Sequence, residues 1–226
     1  MGREKICPDF PHCSHLKFIQ KIDSLPVLES RYLGIYMDYN FLSLRLIFCL
    51  TNSKKHTPMP EGPSIVILKE AVLPLFKGKK VTEAIGNSKK IDLTRLQGEK
   101  VIDFKSWGKH FLICFPKFTV RIHFLLFGSY RINEEKDSIP RLGLYFGKDQ
   151  LNFYACSVQV IEVPLDETYD WTADVMNPDW DSKQALKKLR AKPETLVCDA
   201  LLDQNIFAGV GNIIKTRYCS ASRYIR

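Results

Sequence analysis

A chain of 226 residues with 45% hydrophobic content has enough apolar mass for one sizeable core, or for one domain and part of a second, which excludes a disordered tail. Lysine and arginine outnumber the acids by 33 to 25, giving a formal charge of +8 and a bias towards polyanions such as nucleic acid. The seven cysteines lack framework spacing, which fits a reducing intracellular compartment, cytoplasm or nucleoid, and argues against secretion.

Residues 1–58 show no clean period and end in the polar run Thr51 to Pro58, so they read as an irregular, non-globular extension. Cys7, His12, Cys13 and His15 fall within nine residues, too close for the two-knuckle separation of a tetrahedral zinc site, and no metal site is expected. The apolar stretch Leu33 to Leu50 is interrupted by Asp38 and Arg45. It falls short of the roughly 18 uncharged residues that a membrane helix needs.

From Met59 onward local patterns agree with one another. Ile65, Leu68, Val72 and Leu75 recur at helical spacing after Gly62-Pro63-Ser64, and Gly78 supplies the stop. Pro74 should kink or loosen the last turn. Short strands are predicted at 80–85, 100–104, 111–115, 119–124, 142–146, 151–154 and 158–163. Their close spacing argues for an antiparallel sandwich or barrel. After Pro164 the texture turns helical: a segment within 171–189, a run begun by Pro193 in which Leu196, Ala200 and Leu201 share a face, and a helix opened by the turn at Gly209 and Gly211. The expected organisation is α+β: a catalytic β-sandwich domain over 59–164 opened by one helix, then a helical domain over 165–226.

Four strings carry chemistry. Met59-Pro60-Glu61-Gly62-Pro63 is at minimum a turn and helix start. Ser106-Trp107-Gly108-Lys109-His110-Phe111 puts a lysine at a strand start, which by default is simply solvated. In His123-Phe124-Leu125-Leu126-Phe127-Gly128 the apolar residues could be core or could be exposed wedges. Finally, Leu201 to Ile213 contains Phe207-Ala208-Gly209-Val210-Gly211-Asn212, where glycines admit a close-approaching phosphate and the next helix offers free N–H groups.

Taken in order, these strings resemble the formamidopyrimidine-DNA glycosylase / endonuclease VIII family over residues 59 to about 215, and the apolar cluster is closer to the endonuclease VIII branch. The resemblance implies a base-excision repair DNA glycosylase with abasic-site lyase activity on oxidised bases, of pyrimidine type by that branch. It acts through a Schiff base on an N-terminal proline and needs no cofactor. Pro60 would be the nucleophile, since a free proline is a secondary amine that can expel a base and leave a cationic iminium. Glu61 would shuttle protons, and Lys109 would meet a phosphate as a point charge. Leu125, Leu126 and Phe127 would fill the gap left by an everted nucleotide, while Gly211 and Asn212 would anchor the backbone. The partner implied is damaged double-stranded DNA, bound by a monomer with no membrane association.

Three departures stand out. Pro60 is internal, so its nitrogen is an amide unless translation starts at Met59 or a protease exposes it; the alternative is a catalytically inactive DNA-binding fragment of the same fold. Ser64 stands where many members carry a glutamate. After Lys215 the pattern leaves the family, and a truncated helix-two-turn-helix domain without its zinc finger is expected, poorly packed and weak in DNA affinity.

Overall fold

The computed structural model describes residues 60–221. The expected extension over 1–58, with its Cys/His cluster and apolar stretch, lies outside them.

Helix α1 runs Gly62–Phe76. Pro63 sits in its first turn, where a missing N–H costs nothing, and Ser64 Oγ donates to the Glu61 carbonyl at 2.7 Å. Ser64 therefore secures the start of its own helix. Leu68, Val72 and Phe76 are fully buried at i, i+4 and i+8, whereas Leu75, expected on that face, is exposed. The helix continues through Pro74 because only one hydrogen bond is forfeited so near the end, and the Lys77 N–H still reaches the Leu73 carbonyl at 3.2 Å. Gly78 follows at φ +82° and ends the helix as expected.

Six antiparallel strands follow: β1 (Glu83–Ile85), β2 (Asp103–Trp107), β3 (His110–Cys114), β4 (Thr119–Ile132), β5 (Leu142–Phe146) and β6 (Asp149–Ile161), in the spatial order β1-β5-β6-β4-β3-β2. The two long strands serve both halves. The first part of β4 pairs with β3 and the end of β6; its last part pairs with residues 151–154, of which 151–153 also pair with β5. Phe111 on β3 and Phe153 on β6 do not share a ladder, yet their ring centroids lie 5.8 Å apart. The sheet thus bends over on itself and encloses a core with α1, in which each buried aromatic or aliphatic side chain contributes roughly 1.5–3 kcal/mol.

Several expected boundaries shift. The segments at 151–154 and 158–163 form one strand, and β4 runs eight residues past Phe124 to Ile132. The break between them in the sequence reflects a local bulge and not a loop, because pairing resumes beyond it. Of 80–85 only Glu83–Ile85 is strand, with Lys80 making an isolated bridge to Lys100, and β2 starts at Asp103 instead of Lys100.

The C-terminal segment contains α2 (Leu165–Thr168), a 3-10 turn (Trp171–Ala173), α3 (Ser182–Arg190), α4 (Val197–Leu202) and α5 (Asn212–Ala221). Asp181 caps α3 by accepting the Lys183 N–H at 2.8 Å. Pro193 does not open a helix: the Thr195 N–H closes a turn on the Lys192 carbonyl, and α4 begins four residues later at Val197. A second apolar cluster joins Ala185, Leu201, Ile206, Phe207, Val210 and Ile214, with Tyr218 and Cys219 packed against it. Contrary to the expectation of poor packing, α5 beyond Lys215 is thereby held against its neighbours.

Candidate active site

Glu61 precedes α1 and is 6% exposed. Its carboxylate accepts the backbone N–H groups of Ile213 at 2.8 Å and Ile214 at 3.1 Å. These are unpaired donors of the first turn of α5, where the helix dipole also favours negative charge. The contact is exclusive to glycine at the preceding position, since a Cβ on Gly211 would lie 2.3 Å from Glu61 Oε1. Pro60, partly buried, is carried beside this anchor, and Asn212 is exposed at the opening of α5.

Three backbone turns meet next to Glu61. The Gly62 N–H donates to the Gly209 carbonyl at 2.9 Å. Gly209, at φ +100°, leaves room for a Cβ only 3.3 Å from Gly62 Cα and 3.4 Å from Gly108 Cα. Gly108, at φ +54°, forms the tight turn between β2 and β3 and lies against Ala208 and Gly209. Glycine supplies both the left-handed conformation and the close approach. Gln204 closes the two-turn segment, donating to the carbonyls of Leu202 (2.8 Å) and Val210 (2.9 Å) and accepting the Gly209 N–H (3.1 Å).

Lys109 emerges from that joint. Burial pushes its ammonium below the usual lysine range, and the Glu61 carboxylate partly restores it, which places the two side chains in one electrostatic environment. Behind it, His123 is held neutral by burial and by the charges of Lys109 and Arg121, and His110 is pushed down to about 3, chiefly by burial. The cations of this surface therefore come from Lys109 and Arg121, with the histidines as uncharged packing.

Between Phe124 and Ser129 the pairing of β4 with β6 breaks: Leu125, Leu126, Phe127 and Gly128 stand opposite the single residue Ala155, itself at φ +48°. The extruded side chains are exposed, Phe127 to 81%. Of the two readings left open by the sequence, core burial is ruled out for all three.

The structure thus gathers Pro60, Glu61, Lys109, Gly211 and Asn212 around one joint, with the apolar bulge projecting from the sheet. Sequence reasoning missed Gly108 and Gly209 as a pair, Gln204, and Asp174, which is 2% exposed and accepts the Met176 N–H at 3.0 Å. The glycines were inside the strings already singled out. Asp174 lies in an irregular segment without a pattern.

Residues 59–156 match the model of the formamidopyrimidine-DNA glycosylase N-terminal domain. That match, over 98 of the 226 residues, makes this segment similar to the N-terminal domain of that glycosylase family. A DNA-(apurinic or apyrimidinic site) lyase of Mycolicibacterium smegmatis is 28% identical over 167 residues, covering 71% of this chain and 66% of its own length. Endonuclease 8-like 2 of Mus musculus is 36% identical over 110 residues, 42% of this chain and 32% of its own length. The formamido-pyrimidine DNA glycosylase of Lactococcus lactis, solved non-covalently bound to DNA containing an abasic site, superimposes with a TM-score of 0.58 at 20% identity, covering 68% of this chain and 65% of that one. The chain therefore spans slightly less than two thirds of the length of the mycobacterial relative. Among the described residues, no cluster of three or more His, Cys, Asp or Glu is placed to hold a metal ion, and no helix is long and apolar enough to cross a membrane.

Proposed function

We propose that the protein is a base-excision repair DNA glycosylase with abasic-site lyase activity, acting on oxidised bases in double-stranded DNA once the Pro60 nitrogen is free. The Glu61 carboxylate anchored on α5 carries this reading: it fixes the residue next to the nucleophile, and one contact brings together Pro60, Lys109 and the exposed Asn212. The family's relatives named lyase and endonuclease 8 support it.

In the proposed reaction the proline nitrogen attacks the sugar C1′, the bond from C1′ to the base breaks, and the base departs with a proton. The amine proton passes to Glu61, which has lone pairs left beside its two N–H partners and delivers it to the ring oxygen O4′ as the C1′–O4′ bond breaks. The base takes its proton from solvent, and the opened sugar is left joined to the proline as a C1′=N iminium. The resulting iminium acidifies the C2′ hydrogen; its removal expels the 3′ phosphate and cleaves the strand. Lys109 and Asn212 hold the phosphates flanking the lesion, and Leu125, Leu126 and Phe127 occupy the stack vacated by the everted nucleotide.

The second reading, a DNA-binding protein without catalysis, is favoured by one fact: in the chain as written the Pro60 nitrogen is acylated by Met59 and has no nucleophilic lone pair. Borohydride trapping on DNA with an abasic site separates the two. A covalent adduct with the form beginning at Pro60, and none with the 226-residue chain, supports the enzyme; no adduct with either assigns the protein to DNA binding alone.

A further inference from the structure

We propose that Asp174 is a positioning residue, a buried acceptor that sets the distance between the Pro60–Glu61 segment and the Lys109 turn. The proposal rests on the enzymatic reading above and deepens it.

Aspartate is almost never fully buried without partners, and Asp174, at 2% exposure, is engaged by the backbone N–H of Met176. Its Oδ1 accepts the Met176 N–H at 3.0 Å, and the backbone N–H of Gly108, the residue before Lys109, lies close enough to the carboxyl to lower its pKa. Met176 in turn lays its side chain on Gly62, whose built Cβ would stand 3.2 Å from Met176 Cγ. The Asp174 turn therefore reaches the start of α1 through Met176 and the β2–β3 turn through Ala208, which it bridges and against which Gly108 packs.

The backbone around Asp174 reinforces the tie. It bridges Ala208 in parallel, with the Val175 N–H donating to the Ala208 carbonyl at 3.2 Å and the Ala208 N–H to the Ala173 carbonyl at 2.8 Å. Four residues upstream, the Asp170 carbonyl accepts the Trp107 indole N–H at 2.9 Å. The segment 170–174 thus grips both residues that precede Lys109. Burial pushes the Asp174 carboxyl up, while the backbone N–H groups of Met176 and Gly108 and the charge of Lys69 oppose that; such interactions are strongest with the ionised form.

The test uses the full chain first. Asp174→Asn, which keeps shape, and Asp174→Ala are compared with the parent by amide hydrogen exchange and by NMR titration of the Lys109 ammonium. Expected in both variants is at least tenfold faster exchange at Gly108, with Phe111 and Ile122 unchanged, and a Lys109 midpoint moved up towards the ordinary lysine value. Unchanged Gly108 exchange and an unmoved Lys109 midpoint overturn the proposal; should Asp174→Ala not fold, Asp174→Asn decides. With the Pro60 nitrogen freed, Asp174→Asn is expected to slow trapping at saturating abasic DNA at least tenfold while KM changes less than threefold. An equal loss in both would make the residue a general structural support and overturn positioning. If the freed parent forms no adduct at all, the enzymatic reading fails, and the exchange and titration results still decide the role of Asp174.

Discussion

Glu61 and Ile213 are 152 residues apart in sequence and joined by a 2.8 Å hydrogen bond from the helix N–H to the carboxylate. This bond, with its neighbour at Ile214, makes the start of α1 and the start of α5 a single structural unit. A proton-transfer group at Glu61 cannot wander from Pro60 while α5 is formed.

Replacing Glu61 should therefore act twice. Glu61→Ala leaves two buried or half-buried donors without their charged acceptor, and a loss of roughly 1.5–3 kcal/mol is expected in denaturant unfolding. Glu61→Gln should cost less stability. In the form with free Pro60 it should still slow base release by about 10²–10⁴-fold, the usual range for a lost general acid–base. Glycosylase and trapping rates measured beside unfolding curves check both; a glutamine variant with parental rates refutes the proton-shuttle role.

The glycine joint offers a graded series. Gly211→Ala should expel the Glu61 carboxylate from α5, because the new Cβ would fall 2.3 Å from Oε1. Gly209→Ala combines a φ of +100° with close backbone on two sides, and about 1–3 kcal/mol of destabilisation is expected. Gly98 also has positive φ, +78°, but open space around it. Gly98→Ala therefore isolates conformational strain, and thermal unfolding should rank it below Gly209→Ala.

The apolar bulge should be silent in stability and loud in function. Leu125, Leu126 and Phe127 are exposed, so alanine at any of them should change unfolding free energy by less than about 0.5 kcal/mol. Insertion into a duplex predicts weaker discrimination of lesion-containing from intact DNA. A fluorescent base analogue beside the lesion should show reduced unstacking, with Phe127→Ala the most affected because it projects furthest. Parental fluorescence in all three variants removes the wedge.

Stability should fall in mild acid. Burial brings the folded His110 to about 3 against an ordinary 6.5, and His123 shifts in the same direction. Between these values the unfolded chain binds protons that the native state refuses, so stability is intact above pH 6.5 and declines towards pH 3. The His110 share is at most about 5 kcal/mol, reduced by the solvent its ring still meets. His110→Phe, keeping the packing with Trp107 and Tyr169, should flatten the pH profile of urea midpoints over that range.

What the sequence determined by itself was everything written in local chemistry. The helix after Pro60 was legible from the Ile65, Leu68 and Val72 spacing, β5 from its uninterrupted apolar run, and the site strings from residue types whose reactivity depends on order along the chain. Tertiary structure decided the rest. Whether Leu125 to Phe127 are core or exposed depended on how β4 pairs with β6, and hydropathy is the same in either case. That Glu61 caps a helix 152 residues away, that Gly62, Gly108 and Gly209 must all lack side chains at one crossing, and that Asp174 is a buried acceptor follow from contacts between distant segments. No local periodicity encodes such contacts, because the groups they satisfy are backbone N–H donors that every residue but proline carries.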